Sequence, residues 1–204
     1  MKKAFTMLEL IIVMTVAAII AVVLIPRFSD SRLREAADQI LSHIRYTQHL
    51  AMIDDRFDPQ DPNWHQERWQ ISFKQCVDGD WYYVVGRDIN QNGGVDKNGS
   101  AVNPADGKKM FTSNQCTLQN DESDQILLTK RHLIDTVQFG ADCGNNQYIA
   151  FDNLGRPYRT TLGAEPLDLL TGDCDITFKS PDGNFTITVT QETGYARLSS
   201  LNSN

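Results

Sequence analysis

The fold is decided by residues 1–55, MKKAFTMLELIIVMTVAAIIAVVLIPRFSDSRLREAADQILSHIRYTQHLAMIDD. Lys2 and Lys3 precede an apolar run that begins at Phe5, and no residue from Leu10 to Pro26 is charged. At 1.5 Å per residue, the roughly 22 residues of this run would span about 30 Å as a helix, which is the hydrocarbon thickness of a bilayer. The run is longer than that of a secretory signal peptide, and no small-residue cleavage site follows it. We therefore predict a membrane-spanning helix that starts in the cytoplasm.

Beyond Pro26 the apolar residues form a stripe instead of a continuous run. Proline lacks a backbone N–H, so we expect a kink in the helix near residues 22–26. From residue 28 onward, apolar residues recur at three- to four-residue and seven-residue steps, which is the spacing of one helix face. The stripe consists of Leu33, Ala37, Ile40, Ile44 and Ala51. We therefore predict one long helix in which residues 5–27 protrude and residues 28–53 pack on the distal domain.

Glu9 is the one charged residue inside the apolar run. A carboxylate near the start of a membrane helix costs roughly 2–3 kcal/mol or more, so such a charge usually marks function. The segment Ala4-Phe5-Thr6-Met7-Leu8-Glu9 resembles the type IV prepilin family, whose pattern is a short basic leader, a small residue, Phe-Thr-x-x-Glu and an apolar run. Ala4 departs from the family pattern, because glycine is the rule at that position.

The resemblance implies a processing step and an assembly step. A prepilin peptidase would cut between Ala4 and Phe5, remove the leader 1–4, and methylate the new N-terminal amine of Phe5. Glu9 would then lie one helical turn from that amine, on the same face. In a filament, Glu9 would pair with the Phe5 amine of a neighbouring subunit, since a buried charge needs a partner, and the two residues would set the axial register. Pro26 lies where many family members carry a proline in this helix.

Residues 54–204 differ from the helix in composition and pattern: Gly, Asn and Asp are frequent, and short β-rich runs alternate with turn signals. Arg68–Cys76 and Trp81–Arg87 flank Val77–Asp80, which predicts a hairpin. The other predicted strands are Gln125–Leu133, Thr136–Phe139, Tyr148–Asp152, Pro157–Thr161, Asp175–Lys179, Asn184–Thr190 and Tyr195–Leu198, followed by a frayed tail, Ser199–Asn204. The predicted fold class is α+β and pilin-like: an antiparallel head covering the distal half of one long helix.

Two stretches of the head carry a narrower resemblance. Tyr148–Pro157 (YIAFDNLGRP) and, further on, Ile187–Leu198 with Thr193-Gly194 look like the head of the GspH/FimT-like minor pseudopilins. Those heads carry a Phe-x-x-x-Gly-x-Pro hairpin and a closing strand beside a Thr-Gly turn. The resemblance implies a minor subunit that primes assembly or lies near a filament tip.

The four cysteines are Cys76, Cys116, Cys143 and Cys174. None forms a CxxC pair, so the close spacing that is usual at zinc and thioredoxin-like sites is missing. An exported chain reaches an oxidising compartment, where two disulfides are the expected use. Sequence order favours Cys76–Cys116 and Cys143–Cys174, and the other two pairings stay open.

The segment 88–99 contains Asp88, Asn90, Asn92 and Asp96 around a glycine pair. It matches the first half of a D-x-N-x-N-G calcium loop, in which alternating oxygens converge while the glycine makes the turn. The twelfth position is Gly99 instead of the bidentate glutamate. Calcium is therefore a candidate cofactor, and a surface loop that binds nothing is the alternative.

The composition argues against catalysis and against broad nucleic-acid binding. The net charge is −7, which opposes neutralisation of phosphates, and the four histidines are scattered. No nucleophile-elbow, metalloprotease or phosphate-loop motif is present, so we expect no enzyme. Local basic pairs that could contact DNA are Lys108-Lys109, Lys130-Arg131 and Arg156 with Arg159.

The sequence thus predicts a structural subunit of a type II secretion pseudopilus or a type IV pilus. Its expected partners are other pilin subunits, the prepilin peptidase, an inner-membrane assembly platform and, before assembly, the membrane. The expected location is the inner membrane, in a single pass with the head in the periplasm, and later the filament. The alternatives are a major pilin, a DNA-uptake pilin whose head binds DNA, and a membrane-anchored binding head that keeps Met1–Ala4.

Overall fold

The computed structural model describes residues 6–54, 58–91, 94–144, 147–159 and 169–204, and within the first helix it describes no side chain of residues 22–31. The leader 1–4, Phe5 and Asn92 lie outside the described residues, and Pro26 lies among the undescribed side chains. Leader cleavage, methylation and the helix kink therefore stay predictions.

The described chain is α+β with antiparallel sheets, which confirms the predicted fold class at that level. The helices are α1 (Met7–Ile53) and α2 (Leu128–His132), and the strands are β1 (Trp69–Gln75), β2 (Trp81–Arg87), β3 (Thr136–Phe139), β4 (Tyr148–Phe151), β5 (Pro157–Tyr158), β6 (Cys174–Ser180), β7 (Gly183–Val189) and β8 (Ala196–Ser203). Short 3₁₀ turns span Trp64–Glu67, Asp124–Ile126 and Ala141–Cys143. One sheet has the order β2-β1-β4-β5 and the other β3-β6-β7-β8, and every pairing between these strands is antiparallel.

The distal half of α1 forms the centre of the core. Its stripe residues Leu33, Ala37, Ile40 and Ile44 are at most 1% exposed, because the helix packs against β1, β4, β7 and β8 from both sheets. Between the sheets, the ring of Phe73 packs edge-on against Phe139 and Phe178. Burial of one such aliphatic or aromatic side chain contributes about 1.5–3 kcal/mol, so the helix and the two sheets stabilise one another.

The predicted strand Gln125–Leu133 is wrong. That segment forms the 3₁₀ turn Asp124–Ile126 followed by α2. Ser123 starts the turn because its Oγ accepts a hydrogen bond from the backbone N–H of Gln125. Leu133, in a left-handed conformation with φ 57°, ends α2.

The predicted frayed tail is also wrong, because β8 continues through residues 199–203. It pairs with β7 in a register that joins Phe185 to Leu201 and Gly183 to Ser203. Leu198 and Leu201 pack on the core. This burial holds the C-terminal strand to the sheet.

The outer edge of β8 is covered at its start by α1. The carbonyl of Tyr195 accepts the N–H of Thr190 within the hairpin, whereas the next carbonyl, that of Ala196, accepts hydrogen bonds from Arg45 Nε at 3.1 Å and Nη2 at 2.9 Å. An uncovered strand edge is a template for pairing with another chain. Arg45 removes one of its acceptors.

Two disulfides join the pairs that sequence order favoured. Cys76–Cys116 has a Cα–Cα distance of 5.7 Å and Cys143–Cys174 one of 4.6 Å, and none of the described cysteines is free. They close loops of 40 and 31 residues. Because each loop lowers the conformational entropy of the unfolded chain, each disulfide adds about 4 kcal/mol to the free energy of unfolding in the chain-entropy account.

Candidate functional site

The start of α1 is held by a reciprocal pair of hydrogen bonds between Thr6 and Glu9. The backbone N–H of Thr6 donates to Glu9 Oε2 at 3.1 Å, the Thr6 hydroxyl donates to the same oxygen at 3.0 Å, and the N–H of Glu9 donates to Thr6 Oγ1 at 3.3 Å. The backbone bond from Thr6, followed by its side-chain bond, lowers the pKa of Glu9. In the single chain, the carboxylate thus caps its own helix.

Sequence reasoning missed this capping role, although the signal was present. Thr6-Met7-Leu8-Glu9 matches the capping-box pattern Ser/Thr-x-x-Glu directly before an apolar run. The predicted partner of Glu9, the amine of Phe5 on a neighbouring subunit, involves a residue outside the described chain. The register role of Glu9 therefore stays a prediction.

The apolar segment that follows, residues 7–21, is exposed on every face of the helix. Its large apolar side chains are about half exposed or more, from 49% for Val16 to 85% for Met7. The members are Met7, Leu8, Leu10, Ile11, Ile12, Val13, Met14, Val16, Ile19 and Ile20. A contiguous apolar surface of this kind on a folded protein marks an interaction site.

The predicted membrane span is corrected by the structure. No helix in the described parts of the chain has both the length and the apolar character needed to cross a bilayer. The prediction of a single-pass inner-membrane protein with a periplasmic head is therefore wrong.

The candidate calcium loop is partly held by its own side chains. Asp88 is fully buried at the end of β2, whereas Asn90 is exposed and its amide donates a hydrogen bond to the carboxylate of Asp96. Among the described residues, no group of three or more His, Cys, Asp or Glu side chains is placed to hold a metal ion. Asn92 lies outside them, and calcium binding stays a prediction.

Most cations of the predicted basic pairs already contact acceptors of the head. Arg131 contacts Asp124 at 3.1 Å, Lys130 contacts Asp80 at 3.9 Å, and Arg156 contacts Asp152 at 2.7 Å. The ammonium of Lys109 donates to the carbonyl of Ser100 at 3.5 Å. Three of the six cations thus have a carboxylate partner within the head, and DNA binding by the head stays a prediction.

A buried polar network lies under α1, and sequence reasoning missed it. His43 Nδ1 is 2.6 Å from the Tyr83 hydroxyl, which donates to the carbonyl of Gln125 at 3.2 Å. The amide of Gln39 donates to the Tyr83 hydroxyl at 3.2 Å and to the carbonyl of Gln125 at 2.6 Å. Burial lowers the pKa of His43 to about 4, although the carboxylate of Asp106 opposes that shift.

This network is structural in character. Burial raises the pKa of Tyr83, so both rings stay neutral near pH 7, and His43 and Tyr83 are 5% and 0% exposed. No signal in the sequence could have found it, because each of its hydrogen bonds joins residues that are 40 or more positions apart and meet only in the fold.

Comparisons with protein-family models, with curated proteins and with solved structures each found no match. A proposal about function therefore rests on the chain's own features. These are the exposed apolar segment 7–21, its capped start, and a head that contains two disulfides.

Proposed function

We propose that this chain is a non-enzymatic structural subunit of a type II secretion pseudopilus or a type IV pilus. The observation that carries the proposal is the division of α1 into two halves. Residues 7–21 are apolar and exposed on all faces, whereas the stripe from Leu33 to Ala51 is buried in the head. A helix that is apolar all round needs an apolar environment, and a bundle of the same segment from other copies provides one.

The energy available from such a bundle is large. The segment has ten half-exposed or more exposed large apolar side chains, and burying the remaining surface of each contributes on the order of 1 kcal/mol. A gross gain of about 10 kcal/mol per subunit is enough to offset much of the entropy lost on association. The exposed apolar segment thus contributes little to the stability of a single chain, whereas its burial between subunits would stabilise an assembly.

In this proposal, a prepilin peptidase cuts between Ala4 and Phe5 and methylates Phe5. Glu9 then exchanges its bonds with Thr6 for the amine of Phe5 on a neighbouring subunit. The exchange is favourable only in a filament, because there the carboxylate is buried among apolar side chains and needs an opposite charge. An assembly platform and other pilin subunits are the remaining partners.

The proposal of a GspH/FimT-like minor subunit is supported by how its two sequence stretches meet. The turn after β4 and the turn between β7 and β8 touch, so that a Cβ on Gly194 would lie only 2.3 Å from the carbonyl oxygen of Gly155. Gln48 of α1 joins both turns, donating to the carbonyls of Gly155 and Thr193 at 2.8 Å each. The two stretches therefore form one structural unit.

Intact mass of the full chain, made with and without a prepilin peptidase, tests the proposal. We expect loss of Met1–Ala4 and gain of one methyl group only when the peptidase is present. An intact leader, or a cut at another position, would overturn it.

Assembly is tested by sedimentation and electron microscopy of three variants. Glu9→Leu should be processed but should fail to form filaments, because no carboxylate remains to pair with the amine. Asp38→Asn, which removes an exposed carboxylate elsewhere on α1, is the matched control and should assemble normally. Thr6→Ala removes the cap alone and should assemble, since in the filament Glu9 no longer needs Thr6. The major-pilin and DNA-uptake alternatives remain predictions.

A further inference from the structure

Asn98 lies in a tight turn of the loop that follows β2. The N–H of Gly99 donates to the carbonyl of Asp96 at 3.1 Å, and the carbonyl of Lys97 accepts both the N–H of Ser100 at 3.4 Å and its hydroxyl at 2.7 Å. These bonds close the turn around Asn98. The side chain of Asn98 is exposed and makes no hydrogen bond with any described residue. Its amide is therefore open to a reagent from solution.

The residues around this amide have the pattern of an acceptor for N-linked glycosylation. Asn98-Gly99-Ser100 is Asn-x-Ser in which x is not proline. The pattern is short, and the chain contains it a second time at Asn184-Phe185-Thr186. Both copies have an aspartate two residues before the asparagine, Asp96 and Asp182, as the acceptor sequences of bacterial transferases do. The structure separates the two copies, because a transferase must reach the segment that it modifies.

The second copy of the pattern is enclosed in a sheet. β7 is a central strand that pairs with both β6 and β8. Phe185 is buried and stacks on Phe178, with ring centres 4.8 Å apart, and Asn184 Oδ1 accepts a hydrogen bond from the amide of Asn202 at 3.3 Å. Release of this segment would break the hydrogen bonds to two strands and also cost about 1.5–3 kcal/mol for exposing the phenylalanine. Asn184 is therefore out of reach in the folded head.

The first copy of the pattern is held to one strand only. The N–H of Arg87 in β2 donates to the carbonyl of Gly99 at 3.0 Å, and Ser100 forms an isolated bridge with Gly86. Gly99 and Ser100 are buried against this strand, so a transferase has to lift them from it. Such a local opening breaks few hydrogen bonds and leaves the two sheets intact, so it costs less than unfolding of the head.

The disulfides give independent support for the setting of this chemistry. Cys76–Cys116 and Cys143–Cys174 are both joined, and such bonds persist in the oxidising compartments that exported proteins reach. An Asn-x-Ser pattern on a surface loop of an exported protein is the context in which it serves as an acceptor. Asn98 meets both conditions, whereas Asn184 meets only one.

We propose that Asn98 is a site of N-linked glycosylation whose donor is an oligosaccharide carried on a polyprenyl diphosphate. Nδ2 of Asn98 attacks C1 of the first sugar, so that an N–C1 bond forms while the bond from C1 to the diphosphate oxygen breaks. The diphosphate leaves with the electron pair of that bond, and the amide gives up one proton to a base of the transferase. The step is neutral in redox terms. It does not depend on the proposed function.

Glycosylation of the folded and of the unfolded full chain tests the proposal. Each is incubated with a bacterial oligosaccharyltransferase and its lipid-linked donor, the second after reduction of both disulfides, and the products are mapped by mass spectrometry. We expect the folded chain to gain one glycan, on the tryptic segment 98–108 that follows Lys97. The unfolded chain should gain glycans at Asn98 and Asn184. The readout is the mass of the glycan, because loss of the side-chain amide at an Asn-Gly pair changes the mass far less.

Variants of the acceptor show whether the pattern itself is recognised. Asn98→Gln and Ser100→Ala should both lose the glycan on segment 98–108, in the folded and in the unfolded chain. Ser100→Thr should keep it, because either hydroxyl completes the pattern. Asn153→Gln, which changes an exposed asparagine outside the pattern, is the matched control and should be glycosylated like the wild type.

Each contrary outcome overturns the proposal. A chain that remains bare at Asn98 in both states has no acceptor there. A glycan at Asn98 in the unfolded chain alone shows that the folded turn does not open to the transferase. A bare segment 98–108 in protein isolated from the cells that make it also overturns the proposal. Leader loss and methylation change only the N-terminal peptide, so failure of the proposed function is recorded separately in the same spectra.

Discussion

Replacement of His43 by glutamine should remove a large part of the loss of stability at acidic pH. The imidazole is 5% exposed and its pKa is lowered to about 4 by burial, against an ordinary value of 6.5. Between these two values the unfolded chain binds a proton that the folded chain does not, so the free energy of unfolding falls as the pH falls. His43 thus leaves stability intact above pH 6.5 and reduces it progressively toward pH 4.

The magnitude follows from the two pKa values. At pH 7.5 both states are nearly unprotonated at His43, and the effect is small. At pH 5.0 the unfolded imidazole is protonated and the folded one is mostly neutral, which costs about 2 kcal/mol. Below pH 4 the cost levels off at about 3 kcal/mol.

Urea unfolding at pH 7.5, 6.5, 5.5 and 5.0 measures this effect, with the fluorescence of buried Trp81 as the probe and circular dichroism as a second one. Carboxylates and His132 also titrate toward the acid end, so the informative quantity is the difference between the wild-type and His43→Gln curves. Between pH 7.5 and 5.0, the free energy of unfolding of the wild type should fall by about 2 kcal/mol more than that of His43→Gln. His49→Gln, an exposed histidine on the same helix, should follow the wild type. Parallel curves for wild type and His43→Gln would refute the reasoning.

Three further changes have defined outcomes. Tyr83→Phe leaves the partners of its hydroxyl without an acceptor or donor and should cost about 1–3 kcal/mol, measured by urea unfolding at pH 7.5. Cys143→Ser with Cys174→Ser should lower the free energy of unfolding by about 4 kcal/mol in urea without reductant. The difference from the wild type should vanish when both proteins are reduced, because neither then has a disulfide, and a difference that remains would be due to the serines. Gly194→Ala should cost clearly more than the about 1 kcal/mol of a left-handed alanine alone, because its Cβ would meet a carbonyl oxygen at 2.3 Å. Gly79→Ala, at φ 92° with open space around it, measures that smaller cost by thermal unfolding, and equal losses at the two sites would contradict the clash.

The parts of the fold that could be predicted are those with strong local signals. The hairpin of β1 and β2 follows from two β-rich runs around Val77–Asp80, and in the structure the two strands pair on either side of that turn. The stripe from Leu33 to Ala51 at helical spacing also becomes the buried face of α1. Each of these signals needs only neighbouring residues, so no tertiary contact can override it easily.

The errors in the fold come from segments whose state is decided by distant partners. Gln125–Leu133 is short and has an apolar run of only three residues, which is compatible with either a strand or a helix, and its caps at Ser123 and Leu133 decide for the helix. The tail 199–203 looks polar enough to fray, but its pairing with β7 and the burial of Leu201 beside Phe185 hold it in place.

At the start of α1 the sequence predicted a role for Glu9 from its charge in an apolar run, and that role stays a prediction. Its hydrogen bonds to Thr6 were overlooked. The membrane span was inferred from the length of the apolar run through residue 26, whereas no helix in the described parts of the chain meets the length and apolar character that a bilayer requires.

The contact between Arg45 and Ala196 also has a consequence for the timing of synthesis. The two residues are 151 positions apart, and a ribosome adds about 5–20 residues per second, so roughly 8–30 s separate their appearance. During that interval the apolar stripe of α1 has been made, while β7 and β8, which cover it, have not. Contacts between such distant parts of a chain also form slowly. The head can therefore complete its fold only after translation of its last strand, and until then the apolar face of the nascent helix lacks the strands that cover it.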